Sequence, residues 1–356
     1  MSSPNLPRIA ILSLGDMGSG IARLLTSHKY PVGTCTAGRS SHTIARATAA
    51  NVACYENDEA LLQASDILIS IVPPRDAVAT AERVRRAWDS VGKSSEAGVR
   101  KLWYLDLNAI SPARAREVAA ALGIRSSSKG GARYFNDQAD ANADADEAHD
   151  IVFLDGGIIG GPPKKGEDGK WSGPSIPTSG PFPLSAFSEG GSALAEVLSV
   201  RHIAPVIGPA TGLKMCFASL SKGFCALALQ SFASAQAMGV LDEFRYELKE
   251  RVPAVGQRAE ATVTSCPPKA YRWVAEMQEI GACFGKDGGW SSGGDNSKGG
   301  DFANVFAAIS EVYQVLADKT ILGSERIGER QRGTTVEDVA EILANTLTGS
   351  NKNKPA

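Results

Sequence analysis

The chain has 356 residues, 43% of them hydrophobic, with 37 basic against 39 acidic side chains and a formal charge of -2. That length suits two domains better than one, and a nearly balanced charge with no basic cluster interleaved with aromatics argues against a nucleic-acid partner or a membrane surface. Six cysteines, at positions 35, 54, 216, 225, 266 and 283, form no C-x-x-C pair and have no histidine at metal spacing, which reads as the reduced thiols of a cytoplasmic protein with no metal site.

The opening MSSPNLPRIAIL has too short an apolar run for a signal peptide, and no segment is expected to span a bilayer. Ile9–Leu12 predicts a strand, followed by a glycine-bearing turn and a helix through Ile21–Leu25. In the pattern G-x-G-x-x-G, Gly15 and Gly18 fill the second and third places and Ser13 stands at the first. The second glycine lets backbone approach a pyrophosphate and the third lets helix pack on strand. The Gly15-Asp16-Met17-Gly18 turn therefore reads as a dinucleotide site, with the helix N-terminus facing the phosphates. The alternative is an ordinary strand–turn–helix corner.

Pro31–Thr36 reads as the second strand. An NAD site would end it with an acid for the ribose 2′-hydroxyl, but no acidic residue occurs between Ile21 and Tyr55. Arg39 and Ser40 stand there instead and suit the 2′-phosphate of NADP. Asp66–Val72 is a buried strand stopped by Pro73-Pro74, with a helix over Ala77–Trp88. Leu102–Leu107 is another strand, and Ser111 with Pro112 starts the next helix. Residues 125–150 read as a mobile insertion. Strand Ile151–Asp155 enters a glycine loop ending Gly160-Gly161-Pro162-Pro163, followed by a flexible stretch over 164–175. Short strands at Ile176–Ser179 and His202–Ile207 flank a helix near Ala193–Leu198.

From Thr211 the chain turns helical. Gly212–Val240 is apolar nearly all round, with Lys214 and Lys222 as its charges, so it belongs in a core or an interface. Helices are expected over Asp242–Arg251, Lys269–Phe284, Ala303–Leu322 and Val336–Leu347. The fold class is α/β: a Rossmann-type doubly wound sheet domain over 1–208, an all-α domain over 209–348, and a disordered tail over 349–356.

The order of a Gly-x-Met-Gly turn, an Asn-Ala-Ile-Ser-Pro loop, a Gly-Gly loop and a lysine on a long helix resembles the β-hydroxyacid dehydrogenases, which include 6-phosphogluconate dehydrogenase. Leu14–Gly18 resembles the family's cofactor loop, Asp106–Pro112 its Ser-Thr-x-Ser-Pro loop, Ile159-Gly160-Gly161 its Ser-Gly-Gly loop, and Gly212-Leu213-Lys214 the start of its catalytic helix. Arg272–Met277 is similar to the C-terminal domain of a phosphogluconate dehydrogenase-like branch. The resemblance implies a homodimer, Val72 and Pro73 on the ring side of the cofactor, and a substrate site at Asn108, Gly160 and Gly161, with Lys214 as general acid and base. Desolvation on an apolar helix would lower its pKa and suit it to that work; the alternative is a lysine that snorkels to solvent. Trp273 is a further pocket candidate, against a plain core role.

Three departures mark the substrate half. Ile159 stands for the family's serine, Ala218 for the asparagine one turn after the lysine, and Asn108 for the substrate-loop serine. These exclude efficient 6-phosphogluconate oxidation and favour a less charged carbonyl substrate. The expectation is an NADP-dependent oxidoreductase acting on a small-molecule carbonyl/alcohol pair. An imine reductase on the same fold, and a non-catalytic NADPH-binding sensor or scaffold, remain as alternatives.

Overall fold

The computed structural model describes residues 6–92, 100–124, 150–188, 190–290 and 305–349. The insertion expected over 125–150 lies outside them except for Asp150, as does the tail beyond Gly349. Two compact units divide the chain: Met1–Met215 with Lys286–Gly288, and Cys216–Gly285 with Gly289–Ala356.

The first unit is built on one sheet. Its strands are β1 (Ile9–Leu12), β2 (Val32–Cys35), β3 (Ala53–Tyr55), β4 (Ile67–Ser70), β5 (Leu102–Asp106) and β6 (Ile151–Gly156). A hairpin, β7 (Lys164–Lys165) with β8 (Trp171–Ser172), precedes β9 (Ile176–Ser179) and β10 (Val200–Ala204). The sheet order is β10-β9-β6-β5-β4-β1-β2-β3, parallel throughout except for the β6–β9 pair. The central strands β1, β4, β5 and β6 read as nearly unbroken apolar runs because both their faces are covered. Ile9, Ile11, Ile67 and Ile69 point to one face, and Ala10, Leu12 and Leu68 to the other.

Helices α1 (Asp16–Ser27), α2 (Ser41–Ala49) and α6 (Gly191–Val197) pack on the first face. Helices α3 (Asp58–Gln63), α4 (Ala77–Gly92) and α5 (Pro112–Ala121) pack on the second. The direction of chain progression reverses between β1 and β4, so the crevice of a doubly wound sheet opens at the C-terminal ends of those strands.

The structure adds elements that the sequence reading left out. The stretch α2–β3–α3 is short and largely exposed, so it carries little hydrophobic periodicity. The stretch over 164–175, read as flexible, carries the β7–β8 hairpin, with Lys164 paired to Ser172 and Lys165 to Trp171.

In the second unit the helices are the body of α7 (Pro209–Ala237), then α8 (Leu241–Arg251), α9 (Pro253–Ser265), α10 (Ala270–Ala282), α11 (Val305–Asp318) and α12 (Val336–Leu347). Helix α9 went unread in the sequence, since only Gly256, Ala259 and Val263 of it are buried. Phe232 meets Phe244 edge-on at 5.2 Å, and Met277, Ile280, Tyr313, Val339 and Leu343 are buried. The expectation that no segment could span a bilayer needs correction. Helix α7 is long and apolar enough to do so by length and composition, although Met215, Cys225, Leu229 and Phe232 on it are buried within the protein.

The division between units falls inside α7, after Met215, rather than at the expected 208/209. Its first turn belongs with the sheet because β6 holds it. A π turn over Cys283–Asp287 likewise returns Lys286–Gly288 to the first unit, where Asp287 pairs with Arg116 at 2.8 Å.

Candidate active site at the C-terminal edge of the sheet

The glycine turn follows β1. Gly15 is the N-cap of α1 and brings no side-chain cap, so the first-turn N–H groups have no side chain to satisfy them. A Cβ added at Gly15 would meet nothing within 4 Å, whereas one at Gly18 would lie 2.0 Å from the Ser13 carbonyl oxygen. Gly15 thus fronts open space, and Gly18 is where helix closes on turn. Ser13 fills the missing glycine's place without a positive φ, and its N–H donates to the Ile71 carbonyl at 3.1 Å. These features fit a dinucleotide pyrophosphate: open approach at one glycine and donors at an uncapped helix end.

Asp16 and Met17 lie in that first turn. Asp16 is paired with Arg46 of α2 at 3.2 Å, and Arg46 also donates to the Leu14 carbonyl at 3.4 Å. Sequence reasoning missed Arg46, which sits on a short helix with no motif around it. Beyond β2, Gly38 takes φ +66° and the Arg39 N–H closes a turn onto the Thr36 carbonyl at 3.1 Å. Arg39 is exposed and, among the described residues, has no carboxylate at ion-pair distance. The Ser40 hydroxyl caps α2 by accepting the Thr43 N–H at 3.3 Å.

Asn108 is 1% exposed and ties two strand ends together. Its Oδ1 accepts the Val72 N–H at 2.7 Å and its Nδ2 donates to Ser70 Oγ at 3.1 Å. Its amide therefore fixes the Val72-Pro73 corner, where Val72 is half-buried and Pro73 exposed. The glycine loop after β6 packs back on α1, since a Cβ at Gly20 would meet Pro162 at 3.0 Å and Pro163 at 3.1 Å. Gly160 has φ +126° and lies against Pro174, while Gly161 is open. Ile159 bridges to Ser175 through its backbone in both directions, at 2.9 and 3.0 Å.

Two aspartates that sequence reasoning passed over end β5 and β6 side by side. Asp106 and Asp155 are register partners, and both are fully buried. Asp155 Oδ2 accepts from Ser179 Oγ at 2.8 Å, the Gly208 N–H at 2.9 Å and the Thr211 N–H at 3.2 Å, so it caps the start of α7. Burial raises its pKa in spite of those donors. Asp106 Oδ1 accepts the Asn108 N–H at 2.8 Å. Burial first, and then the neighbouring Asp155 carboxylate, push the Asp106 carboxyl up to about 7, against the pull of the Asn108 N–H and Lys214.

Lys214 follows one turn after Thr211 and is 9% exposed. Its stem lies on the β6 exit, where a Cβ at Gly157 would sit 2.7 Å from Lys214 Cβ and 3.4 Å from Cδ. Lys214, the glycine turn, Asn108 and the Gly160-Gly161 loop thus all stand at the C-terminal edge of one sheet. Trp273 belongs to the second unit. It packs edge-on against Tyr313 at 5.2 Å, with the Lys222 and Lys269 ammoniums 5.6 and 6.0 Å from its ring centre. Lys222 is ion-paired to Glu276.

Residues 8–92 match a family model described as NADP oxidoreductase, coenzyme F420-dependent. Residues 235–316 match one described as a domain of unknown function, DUF1932. An uncharacterised 28.5 kDa protein of Methanothermus fervidus is 22% identical over 247 residues, 68% of this chain and 76% of its own. A conserved hypothetical protein of Sinorhizobium meliloti 1021 superposes with a TM-score of 0.56 at 16% identity, covering 96% of this chain and 97% of that one. A 3-hydroxyisobutyrate dehydrogenase of Salmonella typhimurium gives 0.55 at 17% identity, covering 94% and 99%.

Proposed function

We propose that this chain, which has the fold of the β-hydroxyacid dehydrogenase-like superfamily, is an NADP-dependent oxidoreductase that works on a small carbonyl/alcohol pair. One observation carries the reading: an uncapped glycine turn and a buried lysine share the same edge of one doubly wound sheet. The family description matched by residues 8–92 supports a nicotinamide cofactor.

The first-turn N–H groups of α1, at Asp16, Met17 and Gly18, would hold the pyrophosphate, and Arg39 with the capped end of α2 the 2′-phosphate. Arg46 would brace the turn from behind. The Val72-Pro73 corner, fixed by Asn108, would line the nicotinamide side. A bound nicotinamide supplies or takes the hydride. The chain's own work is then to orient the carbonyl and move one proton. Lys214 Nζ gives that proton to the carbonyl oxygen in reduction and takes it back in oxidation. The open Gly160-Gly161 backbone would orient the substrate. With Ile159 and Ala218 where the resemblance expects hydroxyl and amide donors, the site suits an uncharged carbonyl better than a phosphorylated sugar acid.

The test is NADPH consumption by the purified chain across aldehydes, ketoacids, ketones and cyclic imines, with 6-phosphogluconate and NADP run in reverse. Turnover of a carbonyl that is lost in Lys214→Met supports the reading. Turnover of imines alone reassigns the reaction, and NADPH binding with no turnover across the panel points to a sensor. Efficient 6-phosphogluconate oxidation would show that donors come from elsewhere.

A further inference from the structure

Two carboxylates sealed side by side need either protons or a cation. Asp106 and Asp155 are such a pair, in register on neighbouring parallel strands and fully buried. Among the described residues, each leaves one oxygen with no hydrogen-bond partner, Asp106 Oδ2 and Asp155 Oδ1. Their surroundings differ in a way that assigns them different work.

Asp155 spends Oδ2 on four donors: Ser179 Oγ, the Gly208 and Thr211 N–H groups, and Thr211 Oγ1. Its negative charge faces the start of α7, where the helix's own dipole favours it. Among the described residues, Asp106 receives only the Asn108 N–H, at its other oxygen. The charged groups among them that act on Asp106 are Asp155 from β6 and Lys214 from α7; on its own strand stands Tyr104, whose phenol burial keeps protonated. Lys214 is brought there by two separate devices. Asp155 fixes the helix turn that carries it, and the missing side chain of Gly157 makes room for its stem.

We propose that Asp106 is a positioning residue for Lys214, a sealed counter-charge whose ionisation sets how firmly the lysine ammonium holds its proton. The inference rests on Lys214 being the proton-handling group. An ionised Asp106 keeps Lys214 charged and ready to donate; a neutral Asp106 loosens that proton. Loss of the counter-charge therefore moves the alkaline limb of kcat in the reducing direction to lower pH and leaves KM in place.

The decisive measurement needs no substrate. Aspartate carboxyls of the full-length chain are labelled with carbon-13 and followed by NMR through a pH titration, with Asp106 identified as the resonance lost in Asp106→Asn. The expected midpoint is about 7. Lys214→Met raises it by about one pH unit or more, while Lys214→Arg, which keeps the charge, restores it to near the wild-type value. Lys214→Gln serves if the methionine variant does not fold. A midpoint in the ordinary carboxylate range, or one that ignores loss of the lysine charge, overturns the proposal. So does an equal shift in the arginine variant, since that would report altered packing instead of charge. The coupling would survive even if no NADPH-dependent turnover were found, so failure of the functional reading is told apart from failure of this one.

Discussion

Arg39 stands exposed beyond β2 on a turn that Gly38 makes possible, with no carboxylate near it among the described residues. An arginine so placed is available to a phosphate. Losing one charge-assisted contact costs about 1.5–3 kcal/mol, so Arg39→Ala is expected to weaken NADPH binding roughly 10- to 150-fold and leave NADH unchanged. Fluorescence titration of both cofactors checks this, and equal affinities in the wild type would remove the assignment. At the same scale Asp106 makes stability depend on pH. The folded chain holds its proton up to about pH 7, whereas the unfolded chain releases it in the ordinary carboxylate range. Folding stability from this group is therefore lost as pH rises between those values. Asp106→Asn, neutral throughout, should be more stable than wild type by up to about 4 kcal/mol above pH 8. The difference should vanish near pH 4 in denaturant melts. A constant difference across that range would show that the carboxyl titrates normally.

At the scale of elements, α7 begins where β6 ends. Asp155→Ala leaves the Gly208 and Thr211 N–H groups and the Ser179 hydroxyl without their acceptor. It should destabilise the protein by about 3 kcal/mol, seen as a lowered midpoint in urea with the slope unchanged. How much of this was legible follows from range. The glycine turn, the Ser111 cap and the buried strands are written within a few residues of each other, so they could be read directly. The Asp106–Asp155 pair is separated by 49 positions and exists only through strand register. Asn108 could be singled out in the sequence as a candidate, but not the fact that its amide is taken up by Val72 and Ser70. Arg46 had no local signature, because its role comes from α2 crossing behind the turn.

On the scale of the molecule, α7 keeps an apolar stripe in the open. Phe217, Leu220 and Leu227 are 52%, 76% and 60% exposed and follow one another at helical spacing. Such a stripe on a long helix fits a second copy of the chain, which is the assembly the resemblance implies. Leu220→Asp is accordingly expected to convert a dimer into a monomer in light scattering at micromolar concentration. A wild type that is already monomeric there would dispose of the idea. Sequence periodicity showed that this helix was apolar nearly all round; which side stayed uncovered depends on how α9, α10 and α11 pack around it.

The π turn at Cys283–Asp287 bears on how such a protein can be inherited and rearranged. Because Lys286–Gly288 belongs with the sheet unit, the chain passes between the two units at a second place far along its length. A gene fragment encoding residues 1–215 would omit Asp287 and strip Arg116, whose side chain is 13% exposed, of that carboxylate. Truncation at the first crossing should thus yield a product that unfolds at lower denaturant than the sheet unit does in the whole chain. A peptide spanning 270–290, supplied in trans, should recover part of the loss, and indifference to it would mean the second crossing carries no stability. A lineage built this way cannot trade residues 1–215 as a complete cassette.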